Sequence, residues 1–228
     1  MTELQVCHID NHLLLVNKPA GLPVVPDDSG DESLLDRAKS FLAEEFEKPG
    51  RVFLGVVHRL DRPVSGVICF ARTSKAGARL ARAFRERRVR KLYRGVAERA
   101  PDEAEGLLVQ WLRKDRDRNT VQAFDRRRPG TKEARTRWSV LCREDGRVLL
   151  ELQPETGRPH QLRVAMASLG CPLLGDLRYG ASRALPDRSI ALHSRLLEVP
   201  HPTKGVPVVA TAPEPALDIW RFASEPRA

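Results

Sequence analysis

Five strand-like runs crowd into residues 92–153, each closed by a turn, and they constrain the fold more than any other feature of the chain. They cover residues 92–97, 106–111, 119–124, 134–142 and 147–153. Arg135-Thr136-Arg137-Trp138-Ser139-Val140 alternates, and Val148, Leu150 and Leu152 share one face of their strand. A period of two marks strands with one buried and one wetter face, the pattern of an antiparallel sheet. Further strands are predicted at residues 12–17, on both sides of residue 61 (52–57 and 67–70), at 190–199 and at 206–211. Three helices interrupt them. Ser33 is placed to cap the first, whose apolar positions Leu34, Leu35, Ala38, Phe41, Leu42 and Phe46 keep the helical period until Pro49-Gly50 stops it. The second, residues 75–88 after a Thr73 or Ser74 cap, buries Ala76, Leu80, Ala83 and Phe84 and puts Lys75, Arg79, Arg82 and Arg85 or Glu86 on another face. The third, residues 159–169, takes Pro159 in its first turn, aligns Leu162, Ala165, Met166 and Leu169, and ends at Gly170 and Pro172. With no internal repeat or low-complexity linker, these elements predict one α+β domain over residues 1–212. Its mixed, largely antiparallel central sheet is flanked by helices and loops, and residues 213–228 form a loosely ordered tail.

Charge narrows the partners. The chain of 228 residues carries 39 Lys plus Arg against 30 Asp plus Glu, and only eight of the 39 are Lys. Arginine grips phosphate with a planar fork and stacks on bases, which lysine does not. Residues 72–99 hold eleven basic side chains against Glu86 and Glu98, so this segment alone matches the net charge of +9. Such a concentration is the footprint of a polyanion binder. No apolar run approaches the roughly 20 residues that span a bilayer, and the N-terminus lacks the basic start and apolar stretch of a secretory signal. Cys7, Cys69, Cys142 and Cys171 are far apart and lack ligand spacing, which argues for a reducing compartment and against a zinc site. A cytoplasmic, monomeric protein with no membrane partner is expected.

The absent motifs are as informative. There is no phosphate loop and no glycine-rich dinucleotide turn. Ser65 lacks the first glycine of a nucleophile elbow, and Cys171-Pro172 is not a zinc-deaminase signature. What remains is chemistry centred on a carboxylate, with no cofactor and no metal. Asp61 is the candidate: His58-Arg59-Leu60-Asp61-Arg62-Pro63-Val64-Ser65-Gly66 places it between two arginines where a strand gives way to a turn. The residues alone fit a solvated salt-bridge cluster equally well. A second polar stretch, Glu155-Thr156-Gly157-Arg158-Pro159-His160-Gln161-Leu162-Arg163, opens the third helix. Arg163 there either orients Asp61 or pairs with Glu155 or Asp176, and the residues by themselves favour the pairing.

Taken together, the ordered segments resemble the RluA-type pseudouridine synthases. The 58–66 stretch is similar to that family's catalytic-aspartate motif, and Asn17-Lys18-Pro19-Ala20-Gly21-Leu22-Pro23-Val24 to its first motif. Lys91-Leu92-Tyr93-Arg94 resembles the segment bearing its active-site tyrosine. Residues 156–163, with Gly170-Cys171-Pro172-Leu173-Leu174-Gly175-Asp176 and Tyr179-Gly180, resemble its third motif. Leu192-His193-Ser194-Arg195-Leu196, with His201-Pro202, resembles the end of its domain. The matches run in family order from about residue 11 to 212. Val64 stands where the family usually has threonine and Ala165 where a histidine is common; the S4 module of many relatives is not expected.

The resemblance implies a pseudouridine synthase fold with a catalytic cleft, and a cofactor-free isomerase acting on uridines in structured ribosomal or transfer RNA. It assigns catalysis to Asp61, Tyr93 and Arg163, with Tyr93 against the target base and Arg163 paired with Asp61. Arg59 is the candidate to enter the space left by the flipped base. Arg62, Arg79, Arg82, Arg85, Arg88, Arg90 and Arg158 complete the RNA-binding set, and His58 and His160 are structural hydrogen-bonding groups. Two rival classes stand beside it: a metal-dependent RNA hydrolase using Asp61, Glu155 and Asp176, and an RNA-binding or assembly factor with a decayed site.

Overall fold

The computed structural model describes residues 4–47, 50–115 and 117–223. The backbone divides into two compact units: residues 1–91 with 194–213, and residues 92–193 with 214–228.

In the first unit a hairpin of β1 (Gln5–Ile9) and β2 (Leu13–Lys18) opens the sheet. The Asp10 carboxylate forms the turn by accepting from the backbone N–H of His12 and Leu13. β2 pairs antiparallel with β4 (Ser65–Ala71), from Leu13 opposite Ala71 to Lys18 opposite Gly66. The short β3 (Gly55–Val56) also pairs with β4, so the strand predicted over 52–57 forms at two residues only. β4 neighbours β10 (Leu192–Pro200), which pairs with β11 (Pro207–Thr211). Both faces of β2 and β4 are covered, which explains their continuous apolar runs rather than alternation. α1 (Leu34–Glu45) starts at the Ser33 cap, whose hydroxyl accepts from the Asp36 N–H. It ends at Phe46, which is 44% exposed with Arg72 lying over its ring, not in the core stripe predicted for it; Pro49 lies outside the described residues. α2 (Ser74–Arg85) is capped by Thr73 and buries Ala76, Leu80 and Ala83, the first two against the apolar side chains of β2, β4, β10 and β11.

The second unit is an antiparallel sheet in the order β5 (Arg90–Ala97), β9 (Arg147–Pro154), β8 (Lys132–Glu144), β6 (Glu105–Asp115) and β7 (Thr120–Phe124). All five runs read from the sequence are strands. β6 and β8 reach beyond them because exposed charged residues such as Arg113, Lys114 and Lys132 continue the ladder on the wet side. α3 (Gln161–Ser168) is shorter than predicted. His160 takes a left-handed conformation, φ 50°, so the helix starts at Gln161 and Pro159 stays outside its first turn. The predicted loose tail is packed as far as it is described: Trp220 is buried beside Leu174, Leu185 and Ala191, and Arg147 donates to the Asp218 carbonyl at 2.9 Å. The largely antiparallel α+β architecture is the one the periodicity predicts.

Candidate active site

Asp61 is presented by a turn fixed on both sides. Leu60 and Val64 are buried neighbours in sequence, and the Val64 N–H donates to the Asp61 carbonyl at 3.0 Å, leaving the Asp61 side chain half-buried. Val64 is 2% exposed, so its apolar side chain serves as an anchor for the turn. Immediately downstream, Gly66 has φ +113°, and a Cβ there would lie 2.5 Å from the Ser194 nitrogen and closer still to its carbonyl oxygen. Only glycine lets β4 leave the turn this close to β10. His58, at the other end of the motif, is a structural group as expected. Its Nε2 accepts the Cys69 N–H at 2.9 Å and its ring stacks on Phe84. Burial, with help from the Lys91 charge, pushes its pKa down to about 3, so the ring is neutral.

The residue that sequence reasoning quoted without giving a role is Lys18. It is fully buried, and its ammonium donates to three carbonyls, of Pro19, Leu22 and Arg62, at 2.9, 2.8 and 3.0 Å. Three donors thus meet three acceptors. Burial pushes the Lys18 pKa down to about 7, opposed by the negative charge of Asp61. The Gly21 N–H also donates to the Arg62 carbonyl, at 2.9 Å. Lys18 and Gly21 together staple the 19–22 loop to the turn that carries Asp61. The signal was available: a lone cation ending the apolar strand Leu13-Leu14-Leu15-Val16 has to find buried acceptors.

In the second unit Arg163, the third residue of α3, is 5% exposed and grips the 1% exposed Asp176 with two nitrogens, Nε at 2.7 Å and Nη2 at 2.8 Å. The Tyr179 ring lies 5.0 Å from the guanidinium carbon, closing one face. The Tyr179 hydroxyl accepts the Val121 N–H at 2.9 Å and bonds His160 Nδ1 at 2.7 Å. Gln161 locks the start of the helix: its amide oxygen accepts from Thr156 Oγ1 and the Arg158 N–H, and its nitrogen donates to the Arg135 carbonyl and Thr136 Oγ1. The pairing to Asp176 read from the residues is formed. Tyr93 lies on β5 opposite Leu152, half-buried. Glu155 bridges Arg135 and Arg137 at 2.8 and 2.6 Å. With Glu155 and Asp176 both committed to arginines, and no cluster of three or more His, Cys, Asp or Glu suited to a metal among the described residues, the hydrolase reading has no geometric support.

The predicted RNA-binding arginines separate into two kinds. Arg62 is spent on the protein's own loop: Nε donates to the Gly21 carbonyl, Nη1 to Ser29, and Nη2 meets Asp31. Arg158 is half-buried and donates to the Glu133 carbonyl at 2.8 Å. Arg59, Arg79, Arg82, Arg85, Arg88 and Arg90 are exposed. Arg79 reaches the Pro202 carbonyl, and Glu86 is shared by Arg82 and Arg88, so the exposed face of α2 and the residues after it stay cationic.

The family profile described as RNA pseudouridylate synthase matches residues 12–168. The chain is 36% identical to the uncharacterized RNA pseudouridine synthase YhcT of Bacillus subtilis, over 94% of this chain and 70% of that one. It is also 36% identical to the dual-specificity RNA pseudouridine synthase RluA of Pasteurella multocida, over 87% and 88% of the two chains. Among solved structures, human RNA pseudouridylate synthase domain containing 4 superposes with a TM-score of 0.77 at 25% identity, covering 93% of this chain and 89% of that one.

Proposed function

The chain belongs to the RNA pseudouridylate synthase family and isomerises uridine in RNA, and we propose that Asp61 is the carboxylate on which this isomerisation turns. The C1′–N1 bond of the target nucleotide breaks, the uracil turns, and C1′ bonds to C5; the C5 proton leaves and N1 gains one. Atoms and oxidation state are conserved, so the reaction needs no redox cofactor. A carboxylate at this place serves attack at C1′, addition to the uracil ring or abstraction of a ribose proton. The observation that carries the assignment is the build of the turn: buried Leu60 and Val64 pin it, Lys18 staples it from beneath, and Arg62 is drawn to the 21–31 loop.

Tyr93 contacts the target base, as aromatic side chains do for bases taken out of a stack. Arg163 pairs with Asp61, its guanidinium oriented by Asp176 and Tyr179. Arg59 enters the space left by the flipped base, and Arg79, Arg82, Arg85, Arg88 and Arg90 hold phosphates. Residues 1–212 act as one catalytic domain. The RNA is structured, ribosomal or transfer, and the protein works as a monomer in the cytoplasm. Asp61→Asn is expected to abolish pseudouridine formation, read by mass spectrometry of digested RNA, while RNA affinity survives. Turnover by this variant would remove Asp61 from the mechanism.

A further inference from the structure

The basic charge of the chain is concentrated in two segments, and the function proposed above uses only the first. Residues 72–99 carry a net +9; residues 113–132 carry eight basic against three acidic side chains, a net +5. Since the whole chain is +9, everything outside these segments is net acidic. Positive charge is therefore placed and not merely abundant.

The second segment is built as a surface. β7 and β8 are joined by Asp125-Arg126-Arg127-Arg128-Pro129-Gly130-Thr131, whose tip is locked on itself. The Arg128 N–H donates to Thr131 Oγ1 at 3.0 Å, and the Thr131 hydroxyl and N–H donate back to the Arg128 carbonyl at 2.6 and 3.1 Å. Arg126, Arg127 and Arg128 are all exposed, and among the described residues no carboxylate pairs with any of them. Two aromatic side chains sit under the cations. Phe124 carries Arg128 at 4.6 Å and Arg113 at 5.2 Å from its ring centre, and Trp111 carries Arg127 at 5.9 Å. A guanidinium lying over a ring uses its face for the stack and keeps its in-plane N–H groups for hydrogen bonds. Stacking also removes rotamer freedom before binding, which lowers the cost of immobilising the side chain on a ligand.

We propose that the β7–β8 loop, with exposed Arg126 beside Arg127 over Trp111 and Arg128 over Phe124, is a second RNA-binding surface that grips the phosphodiester backbone of the substrate away from the target uridine. RNA is favoured over an acidic protein because the donors are planar forks in a row, which match successive phosphates. The inference rests on the RNA reading above.

The test uses the full chain and an in vitro transcribed, unmodified transfer RNA in filter binding over a series of salt concentrations. The triple variant Arg126→Gln, Arg127→Gln, Arg128→Gln is compared with a control that removes three exposed cations elsewhere, Arg143→Gln, Arg183→Gln, Lys204→Gln. Each phosphate contact contributes roughly 0.7–0.9 to the logarithmic salt slope. The loop variant is expected to lose about 2 units of slope and to bind roughly tenfold more weakly at 0.15 M salt, with the control close to wild type. Phe124→Leu, which keeps every charge but removes the ring under Arg113 and Arg128, is expected to fall between. Equal loss in loop and control variants, or an unchanged slope in the loop variant, overturns the proposal. A wild-type chain that fails to bind RNA overturns the functional reading as well. Binding that depends on the loop without isomerisation of this RNA leaves the loop in place and moves the target to another RNA.

Discussion

Removing Asp176 is the sharpest probe of how Arg163 is held. Both partners are almost wholly buried, at 5% and 1% exposure, and both contacts are short and charge-assisted. Asp176→Ala removes both of these contacts and opens a cavity beside the buried guanidinium, whose one face still meets the Tyr179 ring. Breaking a buried pair from one side costs about 3–5 kcal/mol, because the remaining charge loses this partner without regaining water. For a chain of this size, unfolding in urea with a slope of about 2–3 kcal/mol/M turns that cost into a midpoint lowered by about 1–2 M. The complementary variant Arg163→Met with Asp176→Leu removes both charges and restores apolar packing, so its midpoint is expected near or above that of the wild type. If Arg163 acts on Asp61 as proposed, this stable double variant makes no pseudouridine. A midpoint shift below about 0.5 M for Asp176→Ala would refute the claim that the pair is buried and unrelieved by solvent. Full activity in the double variant would leave Arg163 as a packing residue.

Two further outcomes follow from the geometry around Asp61. Gly66→Ala forces a Cβ into the Ser194 backbone at a φ that L residues avoid, so β4 and β10 have to separate; circular dichroism and expression yield are expected to show a chain that does not fold stably. Ser65→Ala, one residue away, is the control for the segment. His58 gives a pH signature. The unfolded chain protonates it near pH 6.5, whereas the folded ring resists to about pH 3, because burial and the nearby Lys91 charge disfavour the imidazolium. Its contribution to stability is complete above pH 6.5 and drains as pH falls through that window. His58→Leu is expected to flatten the fall of the urea midpoint between pH 6.5 and 4; an identical pH profile would show that the ring titrates freely.

Much of the fold was legible because its strands obey simple periods. Within 92–153 the clearest alternation, over residues 134–138 of β8, follows from a sheet with one wet face. The sequence neighbours β6–β7 and β8–β9 pair as hairpins, whereas β5 with β9 and β6 with β8 join strands apart in sequence. What escaped was set by features with no period. β1 is five residues with no apolar stripe, held by the hairpin to β2, and its only local announcement is the Asp10 turn. The left-handed His160 displaced the start of α3 because nothing in Arg158-Pro159-His160 marks a positive φ. The proline-rich segment after residue 213 read as a tail, yet one tryptophan suffices to pin it: Trp220 meets His193 edge-on at 6.0 Å and enters an apolar cluster.

The arginines show why a site reads less easily than a fold. Composition counts cations, but function depends on what each one has left after the protein has used it. Arg62 and Arg158 lie in the most informative motifs and are held by the protein's own Gly21 and Glu133 carbonyls, where they shape loops. Arg163 is buried against Asp176, so whatever it does for the reaction it does from a fixed position. Arg126, Arg127 and Arg128 sit in a loop without any motif, and among the described residues no carboxylate pairs with this row of forks on a turn closed by Arg128 and Thr131. Sequence motifs locate the arginines that the architecture needs. The ones that reach a polyanion are found by asking which guanidinium groups have neither a carboxylate nor a carbonyl to hold, and that question is answered only in three dimensions.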